Sequence, residues 1–172
     1  MKHYMMQQYD YHAWANNKVC AYLAELPEPT CFTSIQSIFP TIYDVLVHIY
    51  VIDSGWLSIL ATNGVAEFSP EYVEELTAST ERLTNETKGK SLSEMGEMLS
   101  GLANRYHACF EQQQNVEAFC SYGDFNARYI DLVQHVVNHG TYHRGNITAM
   151  LRQLGHAGTQ TDFSLYLYLQ GK

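Results

Sequence analysis

Three histidines stand four residues apart in one run of the chain: His135, His139 and His143. Neutral imidazole is the commonest side-chain ligand for transition metals. On an α-helix, residues four apart share a face with their Cβ atoms about 5–6 Å from each other, so two such rings can reach one ion. Metal binding is therefore the first chemistry to consider. All three cannot converge from one helix, because each four-residue step turns the side chain by about 40° and leaves His135 and His143 about 80° apart. A further ligand has to come from elsewhere. His48 is the candidate, set among Val45, Leu46, Ile49 and Ile52, where an unpaired polar ring would be costly. It is either that ligand or a hydrogen-bonded core histidine; in the first case His135 lies beside the site or in the core.

Other residues near this stripe bear on the same chemistry. Asn138 and Tyr142 flank the ligands by one position, and Asp53 lies five residues beyond His48. These are candidates for hydrogen bonds to the imidazoles, set against helix packing for the first two and a capped or solvated carboxylate for the third. Arg144 is expected in a salt bridge to a neighbouring helix, with an anionic substrate group as the alternative partner. Gly140 and Gly145 each cost about 1 kcal/mol of helix propensity relative to alanine, which suggests that another backbone or a ligand approaches them. His3, His12, His107 and His156 have no comparable partners and are expected in surface or core roles. His12 stands out among them because Trp14 and Asn16 make its helix polar and aromatic. Trp14 and Trp56 are expected to fill the core or a cleft wall.

The elements that position these residues read as helices separated by breakers. Apolar residues keep helical spacing from about Tyr4 to Leu26, where Pro27 and Pro29 stop it. After Pro40, Thr41 is an N-cap with Asp44 three positions on, and the helix that carries His48 runs to Asn63-Gly64. From Val65 to Lys90 the pattern is weaker, with one short helix opening at Ser69 and a solvated linker at Asn85–Lys90. Ser91 and Glu94 form a capping box before a third long helix through Phe110. Ser121–Phe125 is turn-like, with Asp124 as a cap, and a fourth long helix is expected from about Asn126 to Gln153, closed by Gly155. The tail from Thr161 alternates like a strand without a plausible partner, and is expected as a short closing helix or an extended segment on the bundle. Four long helices with no recurring strand signal predict an all-α four-helix bundle, a fold that builds metal sites from inward-facing side chains.

Composition sets the outer bounds. At 172 residues and 46% apolar content, the chain has the size of one domain, expected over residues 1–172. A net charge of −8 with 10 Lys and Arg offers no basic stripe and argues against nucleic acid or an anionic membrane as partner. The N-terminus lacks a signal-peptide run and no stretch of about 18 uncharged apolar residues occurs, so a cytoplasmic location is expected. Cys20, Cys31, Cys109 and Cys120 show no Cys-x-x-Cys spacing and read as reduced thiols. Neither a Ser-His-Asp order with a nucleophile elbow nor a Gly-rich phosphate loop is visible. The 13 tyrosines and the amphipathic helices make a homodimer the expected assembly.

At the level of whole motifs, Leu132–Gly155 resembles the signature of the DinB/YfiT-like family, bacterial four-helix-bundle proteins regarded as metal-dependent enzymes. Tyr11–Lys18 resembles the family's first-helix motif, Asp44–Ile49 through Trp56-Leu57 its second, and Thr161–Phe163 its C-terminal one. The resemblance spans nearly the whole chain and departs only slightly, with Asn146 where relatives commonly have Gln. It implies a three-histidine site for one divalent metal, carried here by His48, His139 and His143.

Three imidazoles leave coordination positions open, the pattern of a catalytic site. Zinc, nickel, iron or manganese all suit nitrogen ligands. A metal so held lowers the pKa of a bound water or thiol, which serves hydrolysis or thiol transfer equally well. Related members of the family are similar to S-transferases that activate a low-molecular-weight thiol such as bacillithiol or mycothiol, so transfer of a thiol to a small-molecule electrophile is the leading expectation. A metal-dependent hydrolase is one alternative. The other is a non-catalytic metal-binding or stress-response homodimer, for which metal would serve stability alone.

Overall fold

The computed structural model of the protein describes residues 1–65 and 67–171; Ala66 and Lys172, which fall at the weakly patterned stretch and at the end of the expected domain, lie outside it. Helix α1 (Lys2–Ala24) buries Met5, Tyr9, Ala15, Val19 and Leu23, and ends before Pro27 and a 3₁₀ turn over Glu28–Phe32. Helix α2 (Ile42–Ala61) opens with a reciprocal capping box: the Asp44 amide donates to Thr41 Oγ1 at 3.1 Å and the Thr41 amide to the Asp44 carboxylate at 3.1 Å. Such a cap contributes about 1 kcal/mol. It stops at Asn63 and Gly64, both with positive φ. The short strand β1 (Gly64–Val65) leads towards α3 (Pro70–Glu86), which buries none of its side chains and leans on α2.

Helix α4 (Leu92–Gln112) follows the Ser91–Glu94 capping box. Then comes α5 (Tyr129–Gln153), which carries the histidine stripe, and α6 (Phe163–Gln170), which packs on α1. Helices α1 and α2 each pack against both α4 and α5, which makes a four-helix bundle with α1 diagonal to α2. The core runs along its axis through Tyr9, Leu46, Ile49, Met95, Tyr106, Phe110 and Ile147. Helix α2 alone among the described helices is long and apolar enough to span a bilayer, and 56% of that stretch is buried inside the protein, as suits a core helix.

The chain is mainly helical as expected, with two differences of detail. A hairpin of β2 (Phe119–Tyr122) and β3 (Phe125–Arg128) stands where a turn and the start of α5 were expected, and β1 adds to β2 in parallel. Its two-residue loop has positive φ at Gly123 and not at Asp124, the mark of a type II′ turn, so Asp124 caps nothing and α5 begins at Tyr129. Secondly, the expected linker at Asn85–Lys90 is partly helix, and Thr87 is buried because its carbonyl accepts from Tyr43 Oη at 2.7 Å. Of the two outcomes expected for the alternating tail, the short closing helix is the one found: residues three apart, Phe163 and Tyr166, both pack against Tyr11 of α1, edge-on and tilted, with ring centroids 5.1 and 5.9 Å away. The adjoining Thr161 carbonyl accepts from Tyr11 Oη at 2.8 Å, which joins the first-helix motif to the C-terminal one.

Candidate metal centre

Packing of α2 against α5 brings His48 to His139 and His143. The Nε2 atom of His48 lies 3.2 Å from that of His139 and 3.1 Å from that of His143. Ligands at a zinc–nitrogen distance of about 2.05 Å in tetrahedral array are separated by about 3.3 Å. The two separations from His48 therefore match the edge of one ion's coordination sphere, and one ligand atom from each of the three rings lies within 4.8 Å of the others. Hydrogen bonding alone explains the arrangement less well, since a single N–H at His48 cannot serve both neighbours.

Electrostatics keep these rings in the form that binds metal. Burial pushes the His139 imidazolium down to about 3, with further lowering from the neighbouring His143 and His48. His143 is pushed down to about 4 by burial, with His48 adding to it. His48 is lowered by burial against the opposing pull of Asp53. At neutral pH the pocket thus holds neutral imidazoles and lone pairs. Among the described residues the cluster contains these three ligands and no cysteine or carboxylate.

The rim is aromatic. The Phe39 ring sits 4.9 Å from His48 and 5.5 Å from His143, and the exposed Tyr142 ring meets His143 edge-on at 5.0 Å. On the other side Trp56 contacts His135 at 4.8 Å and Tyr122 at 5.3 Å. His135 itself is exposed, its ring 6.2 Å from His139. The α5 stripe thus contributes two candidate ligands and one rim residue. A separate groove of about 540 Å³ lies between α2 and α4, lined by Leu57, Arg105, Cys109 and Tyr129, and the triad has no part in it.

Behind the triad lies a polar cluster that sequence alone only partly anticipated. Asp53, expected as a capped or solvated carboxylate or as an orienting group, is 1% exposed and accepts from His12 Nε2 at 2.8 Å. Asn16 Nδ2 lies 2.9 Å from the same His12 nitrogen. Arg144 forms no salt bridge among the described residues, contrary to expectation. It is buried, donates to Asn16 Oδ1 at 2.8 Å and Thr141 Oγ1 at 2.9 Å, and lies over the Tyr11 ring. It avoids a carboxylate because His12 and Asn16 stand between it and Asp53.

Of the flanking positions, Asn138 is exposed and accepts from Gln134, and Tyr142 touches His143 through its ring edge. Asn146 is the amide near a ligand, its Nδ2 lying 3.4 Å from His143 Nδ1. Gly140 faces the His12 ring, whereas Gly145, also expected at a close approach, has open space where a Cβ would be. The signal that marks the cluster in the sequence is His12 with Asn16, four apart on the α1 stripe that also buries Tyr9 and Val19.

The profile of the DinB family matches residues 1–172. Protein DinB of Bacillus subtilis (strain 168) is 37% identical over 174 residues, covering 98% of this chain and 96% of the relative.

Proposed function

The chain belongs to the DinB family, and from that premise we propose that it is a metal-dependent enzyme that transfers a low-molecular-weight thiol to a small electrophile. The observation that carries this reading is the triad itself: three imidazoles whose ligand nitrogens lie within 4.8 Å of one another, with no other side-chain ligand in the cluster among the described residues. Such a donor set suits zinc, nickel, iron or manganese. Bound there, the ion supplies Lewis acidity that lowers the pKa of a thiol near neutral pH.

The protein's own residues do the rest. His48, His139 and His143 hold the ion from two helices, and Phe39, Tyr142 and Trp56 give an apolar rim for the electrophile. The thiol sulfur forms a bond to the electrophilic carbon, the leaving group departs with the electron pair of the bond that breaks, and the thiol proton passes to solvent. The exposed apolar residues Tyr142, Leu167 and Leu169 support pairing of two copies, and we place the homodimer in the cytoplasm.

The test is a thioether assay on metal-loaded protein with bacillithiol or mycothiol and an aryl halide, read by mass. Thiol-dependent product that disappears in His139→Ala supports the transferase. Ester cleavage without thiol replaces it with a hydrolase, and no turnover with any of the four metals leaves a non-catalytic metal-binding protein.

A further inference from the structure

Two buried polar atoms at this site lack a hydrogen-bond partner and complement each other: Asp53 Oδ1 and His139 Nδ1, 3.9 Å apart. One accepts hydrogen bonds, and the other donates when the ring's lone pair sits on Nε2. An approach of about 1 Å would bring them to hydrogen-bond distance. The other oxygen of Asp53 is fixed by His12 Nε2 at 2.8 Å, and this contact joins α1 to α2 across the bundle diagonal.

His12 is itself held in place. Arg144 Nη1 lies 3.4 Å from its Nδ1 and also donates to Asn16 Oδ1 at 2.8 Å, and a Cβ on Gly140 would clash with the edge of its ring. The missing side chain at Gly140, one position after the ligand His139, is what gives His12 room. The buried Arg144 guanidinium supplies a balancing positive charge without touching the carboxylate, which leaves Asp53 Oδ1 available.

Resting on the metal reading, we propose that His12 and Asp53 are positioning residues for the ligand His139, acting through a relay that runs from Arg144 to His12 to Asp53. The carboxylate fixes the His139 tautomer with N–H on Nδ1, so that its Nε2 lone pair points at the lone pairs of His48 and His143. Partners of this kind alter metal affinity 10–100-fold when removed, on the order seen for outer partners of histidine ligands.

The test is zinc titration of chelator-stripped protein against a chromophoric chelator, with folding of each metal-free variant followed by circular dichroism. Asp53→Asn should weaken zinc about 10–100-fold. His12→Phe, which keeps a ring and loses the donor, should weaken it as well, while His12→Gln, which keeps a donor near the Nε2 position, should restore most of the affinity. In cobalt-loaded protein, one exchangeable, hyperfine-shifted imidazole N–H signal should be lost in Asp53→Asn. If Asp53→Asn does not fold, the Phe and Gln pair at His12 decides. Zinc binding by the wild type with unchanged affinity in the folded variants would overturn the relay. Failure of the wild type to bind zinc would overturn the metal reading beneath it.

Discussion

The Nε2 atoms of His48 and His143 lie 3.1 Å apart although 95 residues separate them in the chain. That spacing matches the edge of a tetrahedral coordination sphere. An ion held there would lie between α2 and α5, so binding should clamp two core helices together.

Metal should therefore stabilise the fold. An ion that binds only the folded state at about 100 times its dissociation constant adds about 2.7 kcal/mol. For a chain of this size that is a rise in Tm of about 5–11 °C. Scanning calorimetry before and after chelation checks it, and in His48→Ala chelation should leave the melting curve unmoved.

Acid should weaken the metal-free fold earlier than carboxylate protonation alone would. Unfolded imidazoles take up protons near pH 6.5, whereas His139 resists to about 3 and His143 to about 4. The unfolded state binds more protons throughout that window, so the stability present above pH 6.5 is lost progressively as pH falls towards 4. Urea denaturation of the metal-free protein between pH 7.5 and 4.5 measures it, and His139→Gln should flatten the dependence. The same depressed values imply that protonation of His139 and His143 takes little from zinc affinity between pH 7.5 and 5.5.

The two glycines of α5 should behave oppositely. Gly140→Ala puts a methyl group into the His12 ring and should destabilise by about 1–3 kcal/mol. Gly145→Ala meets open space on an exposed helix surface and should stabilise by about 0.5–1 kcal/mol. Denaturant midpoints of the two variants decide the point.

Removing the aromatic rim should affect the reaction and spare the metal. The Phe39 ring lies against His48 and His143, with centroids 4.9 and 5.5 Å away, and it offers no ligand atom. Phe39→Ala should retain metal by elemental analysis while raising KM for an apolar electrophile about tenfold, equivalent to about 1.4 kcal/mol.

The parts of this site visible in the sequence are those fixed by local geometry. His139 and His143 share a face because they are four apart, and the caps at Thr41 and Ser91 follow from side chains three residues from their partners. His48 was legible as a polar ring in an apolar helix. The hairpin was hidden by its size: four residues per strand give too short an alternation to stand out, and the Tyr-Gly-Asp-Phe turn was its main sign. The relay was hidden for a different reason. Asp53 is about 140° around α2 from His48, so helix geometry does not associate them. Both come near His139 only because α5 packs against α2, while His12 meets Asp53 across the diagonal from α1, which is a property of the assembled bundle.

The central claim is that His48, His139 and His143 hold one divalent ion, and elemental analysis of protein purified without a metal-affinity tag tests it most directly. The account predicts near-stoichiometric zinc, nickel, iron or manganese in the wild type and its loss in each of His48→Ala, His139→Ala and His143→Ala. A wild-type protein without metal, even after reconstitution with all four ions, would contradict it.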